Sequence, residues 1–215
     1  MNMLKAWATS EDSSILIGEA CGIKTSSRDF AADLLDALLQ AEIPAIWTLP
    51  SCIDEEGMTL ENILVALVMQ TISLNPGVLS NSANPVSVMH FKAIRTIDEW
   101  FRIFQRCLRG LKRLFIILDL ILISKVLKSD RSLEMEEFIG KLDDLSHSHD
   151  GILKIVALTW RLDTTLSRMS QDSSGSTVIA TDPGARKVRL MRNPKFRSAL
   201  ASRRQGVSDV FKDAK

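Results

Sequence analysis

Between Ser14 and Leu39 the chain changes its hydrophobic period once, and that change limits the folds open to it. Ser14-Ile-Leu-Ile-Gly18 is a short apolar run of strand type. Glu19-Ala-Cys21-Gly22-Ile23-Lys24-Thr25 is a compact loop ending in Lys-Thr. Beyond it, Phe30, Leu34, Leu35, Leu38 and Leu39 recur at helical spacing. A buried strand, a tight loop and a helix form the opening half of a βαβ unit. Such a unit needs a parallel partner strand and helices over the sheet.

The loop has a chemistry of its own. Gly18 and Lys24-Thr25 stand at the spacing of G-x-x-x-x-G-K-[ST], a phosphate-binding loop between strand and helix. The glycine that should precede the lysine is Ile23. A loop of this kind wraps phosphates with successive backbone N–H groups at the positive end of a helix. Glycine permits the positive φ and close approach this requires, whereas a β-branched residue is stiff and disfavours it. Gly22, one position early, leaves room for a distorted loop. In that case Lys24 reaches terminal phosphates and Thr25 offers its hydroxyl to magnesium. The plainer alternative is a β-turn-α connection with Lys24 as a solvated charge.

Further along, strand-like and helical segments alternate. Ser26 with Asp29 reads as a capping box for the first helix, which Pro44 stops. Ala45–Leu49 is a second strand. Thr59 caps a helix carrying Leu60, Ile63, Leu64, Leu67, Val68 and Ile72 inward, and Asn75-Pro76-Gly77 ends it. Helical spacing returns over Val88–Arg95. Thr96 with Glu99 caps another helix, bearing Trp100, Phe101, Phe104, Cys107 and Leu108. Leu114–Ile123 is a continuous apolar run of buried-strand type, interrupted only by Asp119. Ser132–Leu145 is an acidic helix with Met135, Phe138, Ile139 and Leu142 inward. Ile152–Thr159 is a fourth strand, and Lys187–Met191 a weaker fifth. The expected fold is α/β: a three-layer, mostly parallel sheet of P-loop NTPase type with helices on both faces. Residues 1–170 form the α/β domain, 171–185 a Ser-rich linker and 186–215 a basic tail with little packed structure.

Two other strand ends bear on function. Asp119 follows Phe115-Ile-Ile-Leu118, the pattern of a strand-end aspartate that helps hold magnesium beside a nucleotide. The strand reads as continuing past it through Leu120–Ile123. A buried carboxylate costs several kcal/mol unless compensated, so Lys24, magnesium or Arg161 is its expected partner. The plain alternative is an acid bonded to a neighbouring helix start. Thr159 and Arg161 close the fourth strand and could face a γ-phosphate, or Arg161 is a surface cation at a strand exit.

In their order, Gly18–Thr25, Ile43–Leu49, Asp119 and Thr159–Arg161 resemble the fungal branch of the NACHT-like (STAND) signal-transduction P-loop ATPases, from about Ser13 to Arg161. The resemblance implies a nucleotide site of Gly18, Gly22, Lys24, Thr25, Asp119 and Arg161. Thr25 and Asp119 would hold magnesium, with Mg-ATP or Mg-GTP as cofactor. The departures, Ile23 in the loop and a lone Asp119 without a second acid, imply a degenerate and C-terminally truncated relative. It would act through a protein partner, with an ATP or GTP switch of weak Mg-dependent hydrolysis as the alternative.

Composition narrows the rest. The net charge of +1 hides an asymmetry: residues 186–215 hold ten Lys/Arg against two acids, a net +8, and residues 1–185 hold 17 bases against 24 acids, a net −7. A basic tail after an acidic body can meet nucleic acid, an anionic surface or the body itself. No aromatic stacking series or DNA-reading motif accompanies it, so nucleic acid is not the expected partner. Cys21, Cys52 and Cys107 are odd in number and lie in no paired motif, which suits a reducing compartment. No apolar run has the length of a membrane span, and no secretory signal is legible. The expected location is cytoplasmic, with nuclear entry open to the basic tail. His147 and His149 lack a third ligand at metal-site spacing.

Overall fold

The computed structural model describes residues 2–19, 25–49, 57–80, 85–130, 133–159 and 177–179. Its elements run α1 (Asn2–Thr9), β1 (Ser14–Glu19), α2 (Thr25–Gln40), β2 (Ala45–Thr48), α3 (Leu60–Leu74), a 3-10 turn (Pro76–Leu79), α4 (Val88–Ala93), α5 (Ile97–Leu108), β3 (Arg113–Asp119), α6 (Leu120–Asp130), α7 (Met135–Ser148), β4 (Ile152–Thr159) and β5 (Thr177–Ile179). The strands form one sheet in the order β2-β3-β4-β1-β5, and every described pairing is parallel. The core of this sheet is the four strands β1 to β4, with β5 a three-residue edge.

Strand order explains the layers. From β1 the chain crosses to the far edge at β2, then returns one strand at a time through β3 to β4. Right-handed crossovers in opposite directions place their helices on opposite faces. So α1 and α2 cover one face, and α3, α5, α6 and α7 the other. The side-chain period of two then divides each apolar run between the layers. On β3, Phe115 and Ile117 join Trp7, Leu34 and Leu38 under α1 and α2. Leu114, Ile116 and Leu118 join Leu64, Phe104 and Phe138 on the other side. A continuous apolar run is what a strand covered on both faces requires.

Local signals hold most element ends. Thr59 accepts from the Asn62 N–H at 3.2 Å, and the Thr59 N–H donates to Asn62 Oδ1 at 2.9 Å. Thr96 and Glu99 reciprocate in the same way at α5. The outer edge of β2 is closed by a side chain: Gln70 of α3 accepts from the Trp47 N–H at 3.0 Å and donates to its carbonyl at 2.9 Å. One amide thus occupies the ladder positions that would otherwise recruit another strand.

Several expectations are corrected. The run Leu114–Ile123 is not one strand: β3 stops at Asp119, and α6 starts at Leu120. The reason is the Asp119 side chain, which accepts from the N–H groups of Ile121 (2.9 Å) and Leu122 (3.3 Å). It thereby caps the new helix. Helix α2 opens at Thr25, so Ser26 lies inside it rather than before it. Leu39 is 52% exposed, and the small residues Ala31 and Ala37 pack inward with Leu34 and Leu38 instead. Helix α7 begins at Met135, which is only partly buried. Helix α1 was not legible in the sequence. The strand expected over Lys187–Met191 lies outside the described residues, and the fifth strand that is described, β5, falls within the Ser-rich stretch. No described helix is long and apolar enough to cross a membrane.

Candidate functional site

Opposite exits from neighbouring strands open a crevice beyond their carboxyl ends, where open α/β sheets take ligands. In this sheet the described exits that part in this way are those of β1 and β3, on either side of β4. The chain leaves β1 toward α2 on one face, and leaves β3 toward α6 on the other. Register then fixes what meets there. Gly18 and Asp119 both pair with Leu158 from opposite sides, and Glu19 pairs with Thr159. Gly18 and Asp119 therefore sit at the same level two strands apart, about 9–10 Å at ordinary strand spacing.

Three neighbouring strands of this edge end on buried polar residues: Thr48 closes β2, Asp119 closes β3 and Thr159 closes β4. Asp119 is the centre of the arrangement. Its side chain points to the α2 face, because Leu118 before it faces the other layer. There Arg28, in the first turn of α2, places Nε 3.0 Å from Oδ2. The other oxygen, Oδ1, accepts the two N–H groups at the start of α6. The Asp119 backbone N–H donates to Thr48 Oγ1 at 3.1 Å. The partner of Asp119 is thus Arg28, a residue that none of the sequence expectations included.

Of the residues expected to bind nucleotide, Gly18 and Asp119 come to this edge, along with Thr159 of the sensor-like strand end. Thr25 opens α2 one turn before Arg28, but its side chain lies outside the described set. Gly22, Lys24 and Arg161 lie outside the described residues. At Gly18 an added Cβ would stand 2.9 Å from a Leu158 methyl, which a small rotation relieves. Its freedom from a side chain is therefore not demanded by packing.

Magnesium is the cation the resemblance implies for Thr25 and Asp119. The described residues do not fit it. A metal takes carboxylate oxygens directly at about 2.0–2.1 Å, and here one oxygen faces a guanidinium while the other caps a helix. Thr48 and Arg28 are the site residues that sequence reasoning missed. The available signal for Arg28 was a cation in the first turn of a helix with no acid there, against the helix dipole.

Elsewhere the chemistry is quieter. A cleft of about 420 Å³ lies between α5 and α7, floored by Phe101 and Leu145. Its charges are matched, Asp98 and Asp144 against Arg102 and Lys141. Lys141 spans it to Asp98 at 2.6 Å, a hydrogen bond that lowers the Asp98 carboxyl and raises the Lys141 ammonium. Among the described residues no three metal-ligating side chains converge. His147 pairs with Asp143 on its own helix, and burial holds the His149 imidazole below its ordinary value.

Among the described residues, a strongly perturbed base lies at the opposite edge of the sheet. Lys154, fully buried on β4, reaches the turn between α1 and β1. Its Nζ donates to Ser10 Oγ (2.6 Å), Ser14 Oγ (3.1 Å) and the Asp12 carbonyl, beneath the Trp7 ring. Burial lowers the ammonium to about 8, with Asp12 opposing and Arg113 adding to the shift.

Compared with known proteins, the chain matches no family model, no curated protein and no solved structure.

Proposed function

We propose that this chain is a degenerate P-loop NTPase-like domain of NACHT-like type, acting as a protein-interaction or regulatory module without nucleotide turnover. The observation that carries the reading is the capture of Asp119. At the sheet edge that would face a nucleotide, the strand-end acid Asp119 is engaged by Arg28 and by the start of α6. The sequence adds Ile23 where the loop needs glycine. Ile23 in the loop and the engagement of Asp119 among the described residues both argue against the positioned charges on which phosphoryl transfer depends. What persists is the fold, whose two apolar layers do not require the loop chemistry.

A second reading, a nucleotide-binding switch, draws support from the convergence of Gly18, Asp119 and Thr159 at the topological switch point. In it Lys24 contacts phosphate and Arg161 senses the terminal one.

Phosphate release from Mg-ATP and Mg-GTP separates the two. The module reading predicts release by the parent no faster than by Lys24→Ala or Asp119→Asn. Turnover that both substitutions abolish would establish the switch.

A further inference from the structure

We propose that Arg28 is a resident cation standing in for a divalent metal at Asp119, so that the sheet edge is closed to metal while Arg28 holds its place. The inference rests on reading Asp119 as the counterpart of a metal-holding acid. It goes further by assigning a specific residue to the cation's position.

Asp119 is 3% exposed, and a carboxylate so removed from water needs a compensating cation. Arg28 supplies it at 3.0 Å. An arginine is suited to this because it stays charged at any physiological pH, so protonation cannot release it. A divalent ion at the same oxygen would lie against the guanidinium of the half-buried Arg28, and the two cations repel. Occupancy is therefore competitive.

The placement of Arg28 supports the same conclusion. The first turn of a helix carries partial positive charge from its unpaired N–H groups, so a cation there is disfavoured. Helix α2 has no acid in its first turn to offset this. The compensation for Arg28 comes from across the sheet, at Asp119. The carboxylate is in turn fixed by Oδ1 on the Ile121 and Leu122 N–H groups, and the backbone beneath it by Thr48. Removing Arg28 leaves a buried acid held in place, with Oδ2 directed at the vacated position.

The test uses Mn2+ alone as probe on the full chain, comparing the parent, Arg28→Gln, Asp119→Asn and the double variant. Binding is read from the free-Mn2+ EPR amplitude and from thermal melts. The expected result is no saturable binding by the parent and one saturable site in Arg28→Gln, accompanied by a higher melting temperature. Both effects should vanish in the double variant, which keeps the fold but not the charge. Should Arg28→Gln be unstable without metal, Mn2+ must restore its melting transition and must not do so for the double variant.

Saturable Mn2+ binding by the parent that Asp119→Asn removes would overturn the proposal. So would identical Mn2+ responses, or none, in Arg28→Gln and the double variant. Nucleotide plays no part in these arms. Lys24-dependent turnover would therefore sink the functional reading while leaving the metal-only result to be judged separately.

Discussion

The buried lysine at the amino-terminal edge of the sheet makes a prediction whose size follows from its surroundings. Lys154 is fully enclosed, and burial brings its ammonium to about 8 from an ordinary 10.5. Between those values the unfolded chain carries the proton and the folded chain does not. Stability must therefore rise with pH across that window. Below pH 8 both states are charged, and the full penalty of burying the cation is present. Two and a half units at 1.36 kcal/mol each give a rise of about 3 kcal/mol between pH 8 and 10.5. Lys154→Met keeps the length and apolar stem but has no proton to lose. Urea unfolding, followed by tryptophan fluorescence at half-unit pH steps, measures both proteins. Cys107, which burial raises to about 11, pulls stability the other way above pH 9, but it does so in parent and variant alike. The parent-minus-variant difference isolates Lys154. It should climb by about 3 kcal/mol from pH 8 to 10.5. A difference that is flat or falls would refute the claim that Lys154 is buried as a strained cation.

Three further substitutions probe the frame. Gly151→Ala would place Cβ 2.4 Å from the Leu111 carbonyl oxygen and 2.7 Å from that of Lys112, both backbone. A loss of about 2–3 kcal/mol in denaturant unfolding is expected. Thr96→Ala removes the side-chain cap of α5 and should cost about 1 kcal/mol, read from the same curves. Gln70→Ala opens the β2 edge, and should raise the concentration-dependent aggregation rate measured by light scattering.

The layers of the fold were readable because hydrophobic period is a local property. Leu60 to Ile72 and Trp100 to Leu108 repeat at helical spacing and were placed as helices with their caps. The unbroken run around Phe115 announced a strand covered on both sides. Asp119 was legible as a strand-end acid, and the alternative of an acid bonded to a helix start is the one found; that the helix begins at the very next residue was not legible. A single capping carboxylate outweighed the strand propensity of Leu120–Ile123, and only the bonds to Ile121 and Leu122 reveal that. Helix α1 carries no strong local signal because its stability comes from tertiary contact, with Trp7 packed edge-on against Phe115 at 6.0 Å. Arg28 and Thr48 reach Asp119 across separations of 91 and 71 residues. No pattern of nearby spacing can display such a pairing. Lys154 stands within an apolar strand with no nearby partner in sequence, and its acceptors lie on a distant turn.

The most direct test of the account is a thermal titration of the full chain with Mg-ATP and Mg-GTP, run beside Lys24→Ala. An edge whose acid is held by Arg28 predicts that neither nucleotide, up to millimolar concentration, moves the parent's melting temperature relative to the variant. A saturable stabilisation present in the parent and absent in Lys24→Ala would contradict it, because ligand linkage would then place a working phosphate loop at the end of β1.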